Sequence, residues 1–242
     1  ALVDTIISPD IKVSSEIMRG FKDGCSRYDV PIVGGHITAT GHNPAVTVCI
    51  LGRAKNILSS FNAQPDDILL HVTNLTGSFH PGFQFWNCSS HLSDADLHRD
   101  LSILPRIAEK GWCDAARDIS MAGVLGTAIM LLELSGVGAQ IELDTLAQPS
   151  GNDDRFIDWL LCFPSYGFVL SVRPWHLSNV QLAFSEHGIS CSSIGKVSAD
   201  YNVKLVKEDE EAVLWNFDKE HFTGFSSSSN IQTHEFRNEQ LN

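Results

Sequence analysis

Asp118 and Ser120 stand directly before a long apolar segment, and their types and spacing suit the binding of a phosphorylated ligand. Residues 121–135 are apolar on nearly every face, which predicts a helix buried on two sides with Ser120 as its N-cap. Free N–H groups at the start of such a helix favour phosphate, and an adjacent carboxylate could hold Mg²⁺ together with substrate phosphates. The alternative is a capping motif without a ligand, because Asp and Ser are both preferred caps.

A pair of glycines forms a second candidate site early in the chain. Gly34 and Gly35 follow a short predicted strand at residues 31–33, and His36 comes next. Glycines let the backbone approach a ligand closely and present N–H groups to an anion. A plain turn between two strands is the alternative, since glycine is the usual turn residue.

Other kinds of catalytic or metal site find no support in the sequence. No two of the ten histidines have the i, i+4 spacing of a helical zinc site, and neither G-x-S-x-G nor G-x-x-x-x-G-K-[ST] occurs. The six cysteines are at least 24 residues apart, which excludes a zinc ribbon or a C-x-x-C redox motif. We therefore expect buried free thiols in a reducing, cytoplasmic compartment.

The composition limits which classes of protein and which kinds of partner fit the sequence. The 242 residues, 43% of them hydrophobic, suffice for one large domain or two small ones. A net charge of -12 leaves no basic footprint for nucleic acid. The longest apolar stretch, 121–132, is shorter than the roughly 18 residues of a membrane span, and the opening residues carry no basic leader region. We expect neither a nucleic-acid nor a membrane partner.

The hydrophobic pattern predicts a mixture of helices and strands. A strand begins almost at the first residue, and a helix follows from about Asp10 to Tyr28. Ser93 is a predicted N-cap, and Pro105 predicts a kink or break in the helix that follows. Further strands are expected at 45–51, 68–72, 139–143 and 167–172, a helix at 174–188, and a β-hairpin joining 193–197 to 203–206. Residues 207–211 are mostly charged, and we expect them to be exposed to solvent. We expect residues 222–242 to be poorly ordered.

Six segments follow one another in an order that is specific to one superfamily. They are VPIVGGH (30–36), DDILL (66–70), DISMAG (118–123), LELSGVGA (132–139), FPSYGFVLSV (163–172), and GI (188–189) with IGKV (194–197). With these segments, residues 1–206 resemble the aminoimidazole ribonucleotide synthetase superfamily, most closely its uncharacterised synthetase-related branch. The superfamily includes thiamine-monophosphate kinase, selenophosphate synthetase and the hydrogenase-maturation dehydratase subunit.

The resemblance implies an α+β, two-layer fold with two PurM-like domains. A partial N-terminal, ATP-binding domain would cover residues 1–92, and a C-terminal domain with helices on a four-stranded mixed sheet would cover 93–206. An acidic and polar tail, partly disordered, would follow at 207–242. Members use ATP and Mg²⁺ to phosphorylate a small-molecule substrate or to drive a ligation, and their N-terminal sheet pairs across a homodimer.

The resemblance also assigns roles to individual residues. Gly34, Gly35 and His36 match a loop near the nucleotide phosphates, with Thr38 close by. Asp118 and Ser120 match the Asp-x-Ser/Thr motif at the cleft between the domains, where relatives place a metal ligand and substrate contacts. The resemblance therefore implies that both are catalytic residues and that Asp118 holds the metal. Gly123 matches the glycine that opens the following helix.

Two departures from the family pattern affect these expectations. The family's Asp-Asp metal motif and the stretch after it precede the strand that opens this sequence, so we expect either a fragment or a short form. The alternative function is therefore a non-catalytic binding or scaffolding homologue. A core strand at the start would leave an open apolar edge, which predicts that the chain is not a well-behaved monomer. The second departure is Asp66, where the family usually has Gly.

Overall fold

The computed structural model describes residues 1–151 and 153–225, which fall into two compact units. The first unit combines residues 1–57 with 89–109, and the second combines 58–88 with the chain from 110 onward. Each unit therefore contains two separate stretches of the sequence. The domain bounds expected from the resemblance, 1–92 and 93–206, stay a prediction.

The described residues form thirteen strands and six α-helices. The strands are β1 (Leu2–Ser8), β2 (Ile32–Ala39), β3 (Ala45–Ile50), β4 (Ile68–Thr73), β5 (Ser78–Phe79), β6 (Phe85–Asn87), β7 (Ala115–Asp118), β8 (Gly138–Glu142), β9 (Phe163–Pro164), β10 (Gly167–Val172), β11 (Ser190–Ser198), β12 (Asn202–Lys207) and β13 (Glu210–Asn216). The helices are α1 (Ile11–Tyr28), α2 (Asp94–Leu101), α3 (Ile103–Glu109), α4 (Gly123–Ser135), α5 (Phe156–Leu161) and α6 (Leu177–Ser185).

The first unit is built on a three-stranded sheet in the order β2-β1-β3. The central strand, β1, runs parallel to β2 and antiparallel to β3. Its alternate residues are buried, as the apolar pattern predicted, and Leu2 and Ile6 are among the core side chains. The strand predicted at the start of the sequence is thus confirmed.

Side-chain caps begin two helices of the first unit, α1 and α2. Asp10 caps α1 by accepting hydrogen bonds from the backbone N–H groups of Lys12 (2.8 Å) and Val13 (2.9 Å). Ser93 caps α2, as predicted, and a break after Leu101 separates α2 from α3. Pro105 lies in the first turn of α3, where a missing N–H costs little.

A seven-stranded mixed sheet, in the order β13-β12-β8-β11-β4-β10-β7, forms the second unit. The mixed α and β class is confirmed, and this sheet has seven strands where four were predicted. Strand β8 lies between β11 and β12, antiparallel to the first and parallel to the second. The predicted hairpin between these two strands is therefore wrong, because their edges are already paired to β8.

The end of the described chain is more regular than the sequence predicted. The expected charge run becomes a tight turn at Glu208, which leads from β12 into β13. Beyond it, Thr223 and its neighbours donate hydrogen bonds to the carboxylate of Glu133 in α4. The disorder predicted for 226–242 lies outside the described residues. Within the described part of the chain, no helix has the length and apolar character needed to cross a membrane.

Candidate functional site

Asp118 closes strand β7 at the edge of the seven-stranded sheet. It pairs with Phe168 of β10, and the next residue, Ile119, donates its backbone N–H to the carbonyl of Gly167 at 3.0 Å. The Asp118 side chain is exposed. Sheet hydrogen bonds thus hold the backbone around Asp118 in place, while its exposed carboxylate oxygens are accessible to a ligand.

The start of α4 differs from the prediction. Ser120 is not the N-cap; that position belongs to Ala122, which has a φ of 70° and forms no side-chain cap. Ser120 contributes its backbone instead, since its carbonyl accepts from Gly123 N–H at 3.0 Å and its N–H donates to Thr127 Oγ1 at 3.3 Å. The Ser120 residue is exposed, and its hydroxyl is not used in the cap that the sequence predicted.

Gly123 is required by both conformation and packing. Its φ of 64° lies in the left-handed region, directly after the left-handed Ala122. A Cβ at this position would lie 2.0 Å from the carbonyl oxygen of Leu160 in α5. The glycine therefore allows the start of α4 to touch the backbone of α5.

The Gly34–Gly35 segment is a strand rather than the loop or turn that was expected. Both glycines lie inside β2, which continues from Ile32 to Ala39 and is hydrogen bonded to β1 throughout. Alternation along the strand places Gly34, His36 and Thr38 on one face of the sheet and Gly35 on the other. Within the described residues β2 is an edge strand that pairs only with β1, so a ligand can contact this segment from either face or along its open edge.

Gly35 makes room for a buried carboxyl group. A Cβ at Gly35 would lie 2.2 Å from Oδ1 of Asp4 and 2.9 Å from the Asp4 carbonyl oxygen. Asp4 is buried, and neither of its carboxyl oxygens has a hydrogen-bond partner among the described residues. No pattern in the sequence indicates this contact, because Asp4 stands in an apolar strand and its neighbour across the sheet is set by register.

Two buried polar residues of the second unit, Asp67 and His71, were not among the site residues predicted from the sequence. Asp67 accepts hydrogen bonds from Ser171 Oγ at 2.6 Å and from the guanidinium of Arg173, which also reaches Asp114. His71 lies in β4 with Nδ1 unpartnered, and burial lowers the pKa of His71 to about 4. The Asp67 network joins β4 to β10, and both groups belong to the core.

The Asp66 departure is accommodated by the backbone. Asp66 has a φ of 73°, in the region that glycine occupies most easily, and its carboxylate pairs with Lys196 at 2.6 Å. Asp is one of the residues that tolerate this conformation in turns. The turn before β4 therefore keeps its shape without glycine.

The comparisons with known proteins identify the family. The model for the AIR synthase related protein C-terminal domain matches residues 80–208, more than half of the chain, and the N-terminal domain model matches residues 1–54. A Synechocystis relative, the uncharacterized protein sll0787, is 38% identical over 230 residues, which are 95% of this chain and 71% of the relative. The chain belongs to the AIR synthase related protein family.

Solved structures share the fold. The chain is similar to Thermotoga maritima PurL complexed with ATP, with a TM-score of 0.68 and 17% identity over 87% of this chain. It is also similar to the hydrogenase maturation protein HypE, with a TM-score of 0.65 and 15% identity over 91% of this chain. The chain spans 36% of the PurL chain and 77% of the HypE chain. These likenesses establish the PurM-like fold.

Proposed function

We propose that the protein is an ATP-dependent enzyme that transfers a phosphoryl group to a small molecule or uses the transfer to drive a ligation. The stretch at 118–123 carries this proposal. There an exposed carboxylate, Asp118, precedes a left-handed turn that opens a helix of 13 residues. Family membership and the fold shared with ATP-complexed PurL support a nucleotide as the ligand.

Asp118 fits Mg²⁺ as a single protein ligand. Among residues 1–151 and 153–225, no group of three or more His, Cys, Asp or Glu side chains is arranged to hold a metal ion. Mg²⁺ needs no such cage, because it keeps several waters and binds through one or two carboxylates together with substrate phosphates. When bound, Mg²⁺ neutralises charge on the phosphates during transfer.

The remaining residues would bind and orient. The amide groups of the first turn of α4 would face the negative charge of a phosphate, and Ser120 would contact the substrate. Gly123 would keep this turn against α5. In the first unit, taken by itself, His36 and Thr38 share one face of β2 with Gly34 and would contact a nucleotide there. Catalysis would then consist of positioning and electrostatic stabilisation, with no covalent step on the protein.

The experiment is a thermal-shift series with ATP, ADP and AMPPCP, each with and without Mg²⁺. A ligand that binds only the folded chain raises its melting temperature by mass action. We expect ATP and AMPPCP to raise it in the presence of Mg²⁺, and Asp118→Asn to remove the Mg²⁺-dependent part. Asp218→Asn, an equal charge change at another exposed residue of the second unit, is the matched control.

A non-catalytic nucleotide-binding homologue is the second candidate. It predicts nucleotide binding that is the same with and without Mg²⁺ and unchanged in Asp118→Asn. No shift with any nucleotide would contradict both candidates.

A further inference from the structure

Phe168 of β10 is the direct cross-strand neighbour of Asp118. The backbone N–H of Ile119 donates to the carbonyl of Gly167 at 3.0 Å, so Phe168 and Asp118 form a non-hydrogen-bonded pair of the antiparallel ladder. In such a pair the Cα atoms are only about 4.5 Å apart, and both side chains lie on the same face of the sheet. A ligand held at the Asp118 carboxylate is therefore within reach of the Phe168 ring.

The ring of Phe168 lies where this row of the sheet passes from core to surface. On one side of Phe168, Val72 of β4 is its cross-strand neighbour and is 0% exposed. On the other side, Asp118 is exposed, and Phe168 itself is half-buried. Part of the ring is thus available to a ligand, while the rest is packed against the protein.

The packing holds the Phe168 ring in one place. The ring meets the buried Tyr166 edge to face, with centroids 5.1 Å apart and an angle of 88° between the planes. The carbonyl of Tyr166 accepts a hydrogen bond from Thr73 Oγ1 at 2.9 Å. A Cβ at Gly167 would lie 2.2 Å from Cγ of Pro164, so the backbone between the two aromatic residues is closely packed as well. A surface that is ordered beforehand loses less entropy when a ligand binds.

We propose that Phe168 is a specificity-determining residue, whose ring packs against a planar aromatic or heteroaromatic group of the small-molecule substrate. Aromatic rings pair favourably in offset-stacked or edge-to-face arrangements, beyond the gain from burying their area. Residues 119–123 carry no charged side chain, and Met121 is 76% exposed, so the turn beside Asp118 offers apolar surface to the same ligand. This inference rests on the proposed function, because it assumes that the phosphoryl group of the ligand lies at Asp118.

The test uses phenyl phosphate, cyclohexyl phosphate and methyl phosphate as probes. The three share a phosphate and differ in the attached group, which is a planar ring, a ring that is not aromatic, or no ring. Each is titrated by calorimetry, with Mg²⁺ and ADP present, into the full 242-residue chain and three variants. The variants are Phe168→Ala, Phe168→Tyr, which keeps an aromatic ring, and Phe83→Ala as the control. Phe83 is also in the second unit and is 72% exposed.

We expect wild type to bind phenyl phosphate roughly fivefold more tightly than cyclohexyl phosphate, on the scale of one aromatic contact, and methyl phosphate most weakly. Phe168→Ala should lose the preference for phenyl over cyclohexyl phosphate, whereas Phe168→Tyr and Phe83→Ala should keep it. Each chain is judged by the ratio of its own affinities, and a general loss of stability would weaken all three probes alike.

The possible failures separate this inference from the proposed function. Wild type that binds Mg²⁺-ATP but binds the three phosphates equally, or binds none of them, would overturn the inference alone. A preference for phenyl phosphate that persists in Phe168→Ala would also overturn it, because the ring would then be recognised elsewhere. Wild type that binds neither Mg²⁺-ATP nor any of the phosphates would contradict the proposed function, and the inference with it.

Discussion

At the scale of single residues, contacts across the sheets determine which positions tolerate change. Gly34 and Gly35 are adjacent and identical in type, yet they face opposite sides of β2. A Cβ at Gly34 would meet only Val3 Cγ1 at 3.8 Å, an ordinary contact, whereas one at Gly35 would collide with Asp4. Substituting alanine at each of the two glycines therefore separates the effect of the contact with Asp4 from the effect of replacing a glycine in this strand.

We predict that Gly35→Ala lowers the free energy of unfolding by about 1–3 kcal/mol, the usual cost of overpacking. Gly34→Ala, the matched control, should change it by less than about 0.5 kcal/mol. The double variant Gly35→Ala with Asp4→Ala should recover most of the loss, because the colliding carboxyl group is gone. Urea unfolding of wild type, Gly35→Ala, Asp4→Ala and the double variant measures the coupling, and additive effects would show that Asp4 and Gly35 do not interact.

His71 supplies a prediction about pH. Burial lowers the pKa of His71 to about 4, from 6.5, so the folded chain holds the imidazole neutral. The unfolded chain takes up the proton as pH falls below 6.5, whereas the folded chain does not, and stability is lost in that window. His71→Leu should reduce the loss of stability between pH 7.5 and pH 5 by roughly 2 kcal/mol.

The measurement for His71 is urea unfolding of wild type and His71→Leu at both pH values, compared as differences so that other titrating groups cancel. His187→Leu, at a residue of intermediate exposure outside the strands, is the control. An equal loss in wild type and His71→Leu would mean that the imidazole is protonated in the folded chain.

At the scale of elements, most helices and strands could be predicted because their signals are local. Asp10 and Ser93 cap the helices that the sequence predicted after them, and the alternation of buried and exposed residues in β1 could be predicted from its apolar residues. The pairing of β12 with β8 could not be predicted, since strand order depends on contacts between residues far apart in sequence. The strand around Gly35 was misread as a turn for a related reason: glycine signals a turn, and only the partner strand shows that it faces a carboxyl group.

The segment after β13 is anchored to helix α4 by one side chain. Glu133 is buried, and its carboxylate accepts hydrogen bonds from the backbone N–H groups of Phe222 (2.8 Å) and Thr223 (2.7 Å) and from Thr223 Oγ1 (2.5 Å). Burial acts to raise the pKa of Glu133, but the hydrogen bonds from Thr223 and its neighbours outweigh it, and the pKa is lowered.

We predict that Glu133→Gln lowers the free energy of unfolding by roughly 2 kcal/mol at neutral pH, because an amide cannot accept all of these donors. The difference should shrink as pH falls below the ordinary pKa of a glutamate, where the wild-type carboxylate also loses its advantage. Chemical unfolding at pH 7 and pH 4 measures both effects. Glu211→Gln, which breaks an exposed ion pair with Lys204, is the control and should have a much smaller effect. Equal losses in the two variants would contradict the anchoring role.

At the scale of the whole molecule, the two units differ in how deeply their strands are buried. The centre of the seven-stranded sheet contains β4 and β10, whose side chains Leu70, Val72, Val169 and Leu170 are fully buried. All six residues of β3 in the first unit are exposed. Local opening is easiest where few buried contacts hold a strand.

Amide hydrogen exchange of the free chain should therefore be slowest in β4 and β10 and much faster in β3. Mass spectrometry of peptic fragments covering 45–50, 68–73 and 167–172 checks this order. Protection of β3 equal to that of β4 would mean that another surface already covers β3 in solution.

The chemistry proposed for the molecule rests on features that the sequence could indicate only in part. The DISMAG segment pointed to Asp118 and Gly123, and both stand at the turn that opens α4. The role of Ser120 as a cap did not hold, because two consecutive left-handed residues, Ala122 and Gly123, close the turn through the backbone instead. Such a turn depends on the contact of Gly123 with Leu160, which no local pattern contains.

Direct titration of the chain with Mg²⁺-ATP by calorimetry tests the central claim most directly. The account predicts saturable binding that needs Mg²⁺, and Asp118→Asn should weaken it by about tenfold or more, the scale of one charge-assisted contact. Absence of saturable binding to a chain that still melts cooperatively would contradict the proposed function.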